Sequence, residues 1–252
     1  YRDSGNYPVT VTVTDDDGGI GVSTTTVSVK NVVPLLSIGG DSSVSEGSLY
    51  KLNIGVVSDP GIDTVTECTV QWGDGASSLC IPGESFTHTY VDGENAYTIS
   101  IDLTDEDGDY PSVASHEVIV NNVAPTVLLR ADRTLFENDN FSLDSSSFTD
   151  PGVLDTHTAM INWGDATSDP GVIDPNVRSI SGMHRYGIPG RYTVTVIVED
   201  KDGGAGSDIM LLKVLPGIFK ACISADKLGG DLKIEKDAHI NCSVHSEGKV
   251  TL

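Results

Sequence analysis

Residues 97–103 read Tyr-Thr-Ile-Ser-Ile-Asp-Leu, and after Thr104 comes the acidic turn Asp105-Glu106-Asp107-Gly108. Apolar and polar side chains alternate through the first stretch, which predicts a half-buried β-strand. Asp and Gly accept the backbone conformations that tight turns require, so the second stretch predicts a hairpin. The same strand and turn occur again in residues 7–19 and 192–204. The chain is therefore expected to contain one kind of β-hairpin three times.

These hairpins belong to an internal repeat. Asp59-Pro60-Gly61 returns as Asp150-Pro151-Gly152, and Trp72-Gly73-Asp74 returns as Trp163-Gly164-Asp165, in both cases 91 residues later. Two independent anchors at one spacing indicate duplicated structural units. Units of about 90 residues with many short strands and frequent turns are typical of an antiparallel β-sandwich, and the fold class is predicted to be all-β.

The period predicts four segments in the chain. The first corresponds to the last third of a repeat and needs further chain or a neighbouring molecule, because an isolated two-stranded hairpin is marginally stable. Two complete repeats follow, and then a different β-rich segment, either rungs of a β-solenoid or the first strands of another sandwich. Tyr1 in place of Met predicts that the sequence is a fragment or a processed product. The predicted segments are residues 1–34, 35–125, 126–216 and 217–252.

The composition excludes several classes of function. Lys and Arg number 15 against 37 Asp and Glu, which makes the formal net charge −22, and the sequence pI is about 4.3. A chain this acidic would be repelled by nucleic-acid phosphates and by anionic lipid. No apolar run reaches the roughly 18 residues of a membrane helix, so no membrane-spanning segment is expected.

The cysteines predict a cross-strand disulfide. Cys68 and Cys80 are equally distant from the turn at residues 73–75, so they face each other if a hairpin is centred there. The next repeat holds Ala159 and Gly171 at the corresponding positions, so both cysteines are absent together. Free buried thiols are the alternative. A bridge implies an oxidising compartment. Two further cysteines form a second candidate pair, Cys222 and Cys242.

The repeated motifs carry a resemblance to a known family. Trp72-Gly73-Asp74-Gly75, His88-Thr89-Tyr90 and the following strand and acidic turn resemble the PKD (polycystic kidney disease) domain. The Asn-x-x-Pro junction at Asn31–Pro34 is similar to tandem arrays of such domains in large prokaryotic surface proteins. The resemblance implies tandem immunoglobulin-like sandwiches, an extracellular location and a spacer or binding role. In the second copy Ala166 replaces the family's Gly, which leaves the type of that turn open.

Clusters of Asp are the strongest indication of a ligand. Ca²⁺ prefers several hard oxygen ligands, and acidic pairs recur both beside the Asp-Pro-Gly motif and in the hairpin turns. A Ca²⁺ site is therefore a hypothesis, with solvated turns that bind no metal as the alternative. An EF-hand is excluded because its last acidic ligand is missing. The candidate ligands are Asp15, Asp17, Asp59, Asp63, Asp105, Asp107, Asp150, Asp155, Asp200 and Asp202.

The aromatic and His residues predict structure rather than catalysis. Trp72 and Trp163 are expected in the sandwich cores, with sugar stacking as the alternative. His88 and His184 precede repeated tyrosines by two residues, a pattern that predicts structural hydrogen bonding, whereas the other four histidines are expected to be isolated. No nucleophile elbow or phosphate loop is present. The residues predicted to have structural roles are Trp72, Asp74, Tyr90, Trp163, Asp165 and Tyr186.

Two functions remain open at this point. The first is a non-catalytic structural or adhesive segment of a secreted or cell-surface protein, acting as a Ca²⁺-stiffened spacer or as a building block of a filament or surface layer. Its partners would be other surface or matrix proteins, glycans or further copies of itself. The second is an accessory carbohydrate- or protein-binding region of a secreted hydrolase. The turn carboxylates are expected to be solvated and ordinarily acidic, so acid/base catalysis has no support.

Overall fold

The computed structural model describes residues 1–217, and these contain nineteen β-strands and no helix. They therefore contain no helix that is long and apolar enough to cross a membrane. The chain divides into two compact units, Tyr1–Val123 with Pro151–Leu154, and Ala124–Asp150 with Asp155–Leu252. The proposed β-rich segment beyond residue 217 and the pair Cys222 and Cys242 lie outside the described residues. The four-segment division stays a prediction.

The first unit begins with a two-stranded hairpin formed by β1 (Gly5–Thr14) and β2 (Ile20–Val29). Its register places Tyr7 opposite Val27. The apolar residues of this hairpin are largely solvent-exposed, and Val11 is 57% and Val13 65% accessible. Apolar and polar side chains alternate along these strands as they do in strands that border a core. Within the described residues, however, no second sheet covers the apolar side chains.

The rest of the first unit is a sandwich of two sheets. One sheet has the strand order β4-β10-β9-β6-β7 and the other has the order β3-β5-β8. The strands are β3 (Ile38–Gly40), β4 (Ser43–Ser45), β5 (Leu49–Ile54), β6 (Glu67–Gln71), β7 (Ser77–Leu79), β8 (Ser85–Thr89), β9 (Asn95–Thr104) and β10 (Asp109–Asn121).

The second unit repeats this strand order. Its larger sheet has the order β12-β19-β18-β14-β15, and its smaller sheet has the order β11-β13-β17-β16, with one strand more than in the first unit. The strands are β11 (Thr126–Leu128), β12 (Arg133–Phe136), β13 (Asn140–Thr149), β14 (His157–Asn162), β15 (Ser168–Pro170), β16 (Val172–Asp174), β17 (Ser179–Arg185), β18 (Gly190–Asp200) and β19 (Ala205–Leu215).

Each core lies between its two sheets and is built from alternate strand positions. In β9, Ile99 and Ile101 are fully buried and Leu103 nearly so, while their neighbours face outward. In β18, Val194, Val196 and Val198 repeat this pattern. The side-chain period of two therefore decides which residues form each core. Both sandwiches are immunoglobulin-like, and the all-β prediction is confirmed.

The sandwiches differ from a purely antiparallel arrangement in one pair of strands each. The short strand β4 pairs parallel with β10, and β12 pairs parallel with β19. Within residues 1–217 every other pair of strands is antiparallel, as the sequence predicted. Each short strand is joined to its partner through the rest of the unit rather than through a hairpin, so its direction is not constrained by a tight turn.

Candidate metal site

The Trp-Gly-Asp motifs form the turns that follow β6 and β14. The Trp72 N–H donates to the Ala76 carbonyl at 3.0 Å, and the Asp74 carboxylate accepts a hydrogen bond from the Ala76 N–H. Gly73 and Gly75 both have positive φ, at 89° and 92°. In the second unit Ala166 has a φ of 72°, so it adopts the left-handed conformation of Gly75 and the two turns are alike.

A cluster of four side chains encloses each of these turns. His88 stacks on Trp72 with ring centroids 4.8 Å apart, and its Nε2 lies 2.7 Å from Asp74 Oδ2. The Tyr90 hydroxyl donates to the Trp72 carbonyl at 3.0 Å. The second unit repeats all three contacts, at 4.9, 2.8 and 2.8 Å, with Trp163, His184, Asp165 and Tyr186.

Hydrogen bonding within this cluster stabilises the charged form of its carboxylate. Burial opposes ionisation of Asp74, but the hydrogen bonds with His88 and the Ala76 N–H outweigh burial and lower its pKa. Asp165 has a lowered pKa for the same reasons, with Thr167 as an additional donor. Both Trp side chains are fully buried, so neither offers a surface for stacking a sugar.

A disulfide joins Cys68 and Cys80 across the β6–β7 hairpin, with a Cα–Cα distance of 5.0 Å. The Cys80 N–H also donates to the Cys68 carbonyl at 2.7 Å. In the second unit the Gly171 N–H makes the equivalent bond to the Ala159 carbonyl at 2.9 Å. The structure therefore places these four residues at equivalent positions, as the repeat spacing predicted.

Three of the predicted metal ligands come together in the first unit. Asp59 and Asp63 lie in the loop before β6, and Asp105 lies at the end of β9, where the hairpin with β10 begins. One carboxylate oxygen from each residue lies within 4.8 Å of the others. A second group with the same spacing consists of Asp3, Asp63 and Asp107, so Asp63 belongs to both.

Asp3 is a member of this site that the sequence did not predict. It precedes β1 and stands outside the repeated acidic turns, so no repeat marks it. Backbone and side-chain contacts bring it to the sandwich: the Ile62 N–H donates to the Arg2 carbonyl at 2.8 Å, and the Ser4 hydroxyl donates to Asp107 at 2.9 Å. The group therefore connects the β1–β2 hairpin with two loops of the sandwich.

The carboxylates at the centre of the site are only partly satisfied. Asp105 is 6% exposed; its Oδ1 accepts hydrogen bonds from the Asp107 and Gly108 N–H groups, whereas its Oδ2 is buried without a hydrogen-bond partner. Asp59 Oδ2 and Asp63 Oδ1 are buried in the same way. The expectation that all turn carboxylates are solvated is therefore wrong. Burial of unpaired carboxylates is costly, and a bound cation would offset that cost.

Asp63 also departs from the ordinary acidity expected for these residues. Burial raises the pKa of its carboxyl group to about 6, with further contributions from Asp59, Asp107 and Glu106. These acidic neighbours repel its negative charge and so favour the protonated form in the absence of a cation. The arrangement offers several carboxylate oxygens in a small volume, which fits a hard divalent cation.

The corresponding residues of the second unit already have positively charged or hydrogen-bonding neighbours. Lys201 Nζ lies 3.0 Å from Asp155 Oδ1 and also forms an ion pair with Asp202. His157 Nε2 lies 2.8 Å from Asp150 Oδ2, so the expectation that His157 is isolated is wrong. Asp200 accepts hydrogen bonds from two N–H groups of its own turn and is 8% exposed.

The remaining two candidates, Asp15 and Asp17, lie in the turn between β1 and β2. Asp15 Oδ1 accepts a hydrogen bond from the Gly19 N–H at 2.6 Å, which closes the turn. Among residues 1–217, neither of the two belongs to a group of three potential ligands. Both are exposed, and their geometry is that of a hydrogen-bonded hairpin turn.

The fold and the repeated Trp-Gly-Asp cluster define a class of β-sandwich domain. A family model described as the PKD domain matches residues 122–214, which contain β11 to β18 and almost all of β19. The resemblance to the PKD domain that the motifs predicted is confirmed over these residues.

Individual proteins show a more distant similarity. The dyslexia-associated protein KIAA0319 of Homo sapiens is 26% identical over 223 residues, which cover 84% of this chain and 20% of that protein. This chain therefore spans about a fifth of the length of that relative. Among solved structures, a tetra-tandem repeat from the extending region of a large adhesion protein is 15% identical, with a TM-score of 0.42 over 84% of this chain and 57% of that chain. Drosophila N-cadherin EC1–3 is 11% identical, with a TM-score of 0.31 over 78% of this chain and 73% of that chain.

Proposed function

We propose that this chain is a non-catalytic structural or adhesive segment of a secreted or cell-surface protein, and that its first unit binds Ca²⁺. The observation that carries the proposal is the convergence of Asp59, Asp63 and Asp105, each with a buried oxygen that has no hydrogen-bond partner. PKD-type domains are typical of extracellular structural and adhesive proteins, and the Cys68–Cys80 disulfide fits an oxidising compartment.

The chemistry of the site favours Ca²⁺ over softer metals. All candidate ligands are oxygen atoms, and neither Cys nor His belongs to the two groups. Ca²⁺ accepts about 6–8 oxygen ligands in irregular geometry, whereas Zn²⁺ prefers tetrahedral nitrogen and sulfur ligands. Asp59, Asp63 and Asp105 would hold the ion, and Asp3 and Asp107 would supply further carboxylate oxygens beside it.

Binding at this place would have a mechanical consequence. Asp3 belongs to the segment before β1, whereas Asp63 and Asp107 belong to the sandwich. An ion that binds all three would attach the β1–β2 hairpin to the sandwich and restrict its motion. This is how the segment would act as a stiffened spacer, with tandem copies as a filament or surface-layer component. The second function is an accessory carbohydrate- or protein-binding region of a secreted hydrolase. Its carbohydrate-binding form is not supported by Trp72 or Trp163, because both side chains are buried.

Thermal unfolding tests the proposed site. After chelator treatment, millimolar Ca²⁺ should raise the melting temperature of the first unit, and Asp63→Asn should remove most of that rise. Glu117→Gln is the control, because Glu117 is an exposed acidic residue of the same unit. Hydrogen exchange of the Ile62 amide, which donates to Arg2, should slow when Ca²⁺ binds. A metal-free sample that melts identically with and without Ca²⁺ would contradict the proposal.

A further inference from the structure

The acidic turns of the two units differ in the sign of one charge. The first unit has Asp105-Glu106-Asp107 between β9 and β10, and the second has Asp200-Lys201-Asp202 between β18 and β19. Lys201 therefore takes the position that Glu106 has in the first repeat. A second difference lies a few residues after the pair Asp59 and Asp63 and its equivalent in the second unit. There, Thr66 of the first unit corresponds to His157 of the second.

The structure shows what the positive side chain does at this position. Lys201 Nζ lies 3.0 Å from Asp155 Oδ1 and is also paired with Asp202 Oδ2. The Asp155 side chain is 0% exposed, and neither of its oxygens accepts a hydrogen bond of ordinary geometry. The ammonium group is thus a positive charge in contact with this buried carboxylate. Burial, together with Asp150 and Asp202, raises the pKa of Asp155, and Lys201 opposes that rise.

The first unit contains the opposite arrangement. Glu106 contributes another negative charge beside Asp63, and its Oε2 is held by the Thr64 N–H at 2.7 Å. Thr66, at the position of His157, donates its hydroxyl to the Thr104 carbonyl and carries no charge. The first unit therefore has a negative Glu106 where the second has a positive Lys201, so the acidic groups of the first unit carry the larger excess of negative charge.

We infer that Lys201 is a built-in cation that takes the place of Ca²⁺ in the second unit, so that the two repeats differ in their requirement for the metal. This inference rests on the proposed Ca²⁺ site of the first unit. A Ca²⁺ ion approaching Asp155 and Asp202 would meet the Lys201 ammonium and would have to displace it from a buried partner. Ca²⁺ would consequently stabilise the first unit and leave the second unit unaffected.

Reciprocal charge exchanges test the inference. Each unit contains a single Trp, Trp72 or Trp163, so the two indole N–H signals in an NMR spectrum report the unfolding of each unit separately. In the wild type, Ca²⁺ should raise the unfolding temperature of the first unit alone, by roughly 5 °C or more. Glu106→Lys should abolish that rise.

The variant Lys201→Glu should make the second unit dependent on Ca²⁺, and calorimetry should show additional bound Ca²⁺ per chain. Lys201→Gln provides a second variant in case the charge reversal prevents folding without metal, and it should give the same gain with weaker affinity. Lys213→Glu reverses the charge of an exposed residue of the same unit and should change neither quantity.

The outcomes separate the inference from the proposal on which it rests. A wild-type second unit that responds to Ca²⁺ as strongly as the first would overturn the inference and leave the proposed site intact. The same conclusion would follow if both Lys201 variants gained no Ca²⁺ response while the first unit kept its own. A wild-type chain that binds no Ca²⁺ in either unit would overturn the proposed function and the inference together.

Discussion

Nε2 of His88 lies 2.7 Å from Oδ2 of Asp74, in a pair whose side chains are both 17% exposed. The imidazole is also stacked on Trp72, which is fully buried at the centre of the core. The pair therefore connects the hairpin turn after β6 to the aromatic core beneath it. His184 and Asp165 repeat this connection in the second unit at 2.8 Å.

The Asp74–His88 pair should contribute measurably to the stability of the first unit. We expect Asp74→Asn to lower its free energy of unfolding by ~1–2 kcal/mol, because a hydrogen bond to a charged group is lost from a partly exposed site. Urea denaturation followed at Trp72 would measure the change. Asp165→Asn should affect the second unit equally. An effect below the experimental error in both units would contradict a structural role for the pair.

The same carboxylate predicts how stability changes in acid. The folded-state pKa of Asp74 lies below its ordinary value of 3.8, so the carboxylate stabilises the fold above that pH and the stabilisation is lost as pH falls through the folded pKa. The wild type should therefore lose stability below about pH 4 more steeply than Asp74→Asn. Chemical denaturation at several pH values between 2 and 5 would measure both slopes. Parallel slopes would contradict the prediction.

Gly73 and Gly75, in the turn between β6 and β7, should differ in how well they tolerate substitution by alanine. A Cβ at Gly73 would lie 2.8 Å from the Thr98 carbonyl oxygen and 3.0 Å from its nitrogen, whereas a Cβ at Gly75 would meet nothing within 4 Å. Gly75→Ala should cost only ~1 kcal/mol, since Ala166 already adopts this conformation in the second unit. Gly73→Ala should cost clearly more, because the backbone of β9 must move. Equal melting temperatures for the two variants would contradict this.

Reduction of the Cys68–Cys80 disulfide should destabilise the first unit alone. The bridge closes a short loop, with the two cysteines 12 residues apart, and its loss should cost ~2–3 kcal/mol. Cys68→Ala with Cys80→Ala provides a variant that cannot re-form the bond. The Trp163 signal should keep its unfolding midpoint, because Ala159 and Gly171 occupy the equivalent positions. A shift of both midpoints would show that the effect is not confined to the first unit.

Removal of divalent cations should reverse the way in which the stability of the first unit changes with pH between about pH 4 and 6. The pKa of Asp63 is raised from 3.8 to about 6, so in chelator its contribution to stability is present at low pH and is lost as pH rises through about 6. With Ca²⁺ present, binding requires the ionised carboxylate, so stability should increase with pH over the same interval. Melting curves of the wild type and Asp63→Asn, with and without Ca²⁺, would isolate this contribution. The same change of melting temperature with pH in all four samples, the two proteins each with and without Ca²⁺, would contradict the prediction.

Much of the local structure could be predicted from the sequence because it depends on neighbouring residues. Alternating side chains marked the strand that contains Ile99 and Ile101, and Asp-Gly turns marked the hairpins. Equal spacing about residues 73–75 was enough to place Cys68 opposite Cys80. The parallel pairing of β4 with β10 was not predictable in this way, since no tight turn joins those two strands.

The contacts within the candidate metal site could not be predicted from the sequence alone. By itself the sequence determined which residues are acidic, that they recur with the repeat, and that most of them lie in turns. Only the tertiary structure places Asp63 close to Asp105 and Asp3 in the first unit. In the second unit it places the Lys201 ammonium next to Asp155. These contacts join residues far apart in the chain, and their distances depend on the order of the strands in each sheet. The balance of charge around these carboxylates then differs between the units, because Lys201 in the second unit takes the position of Glu106 in the first.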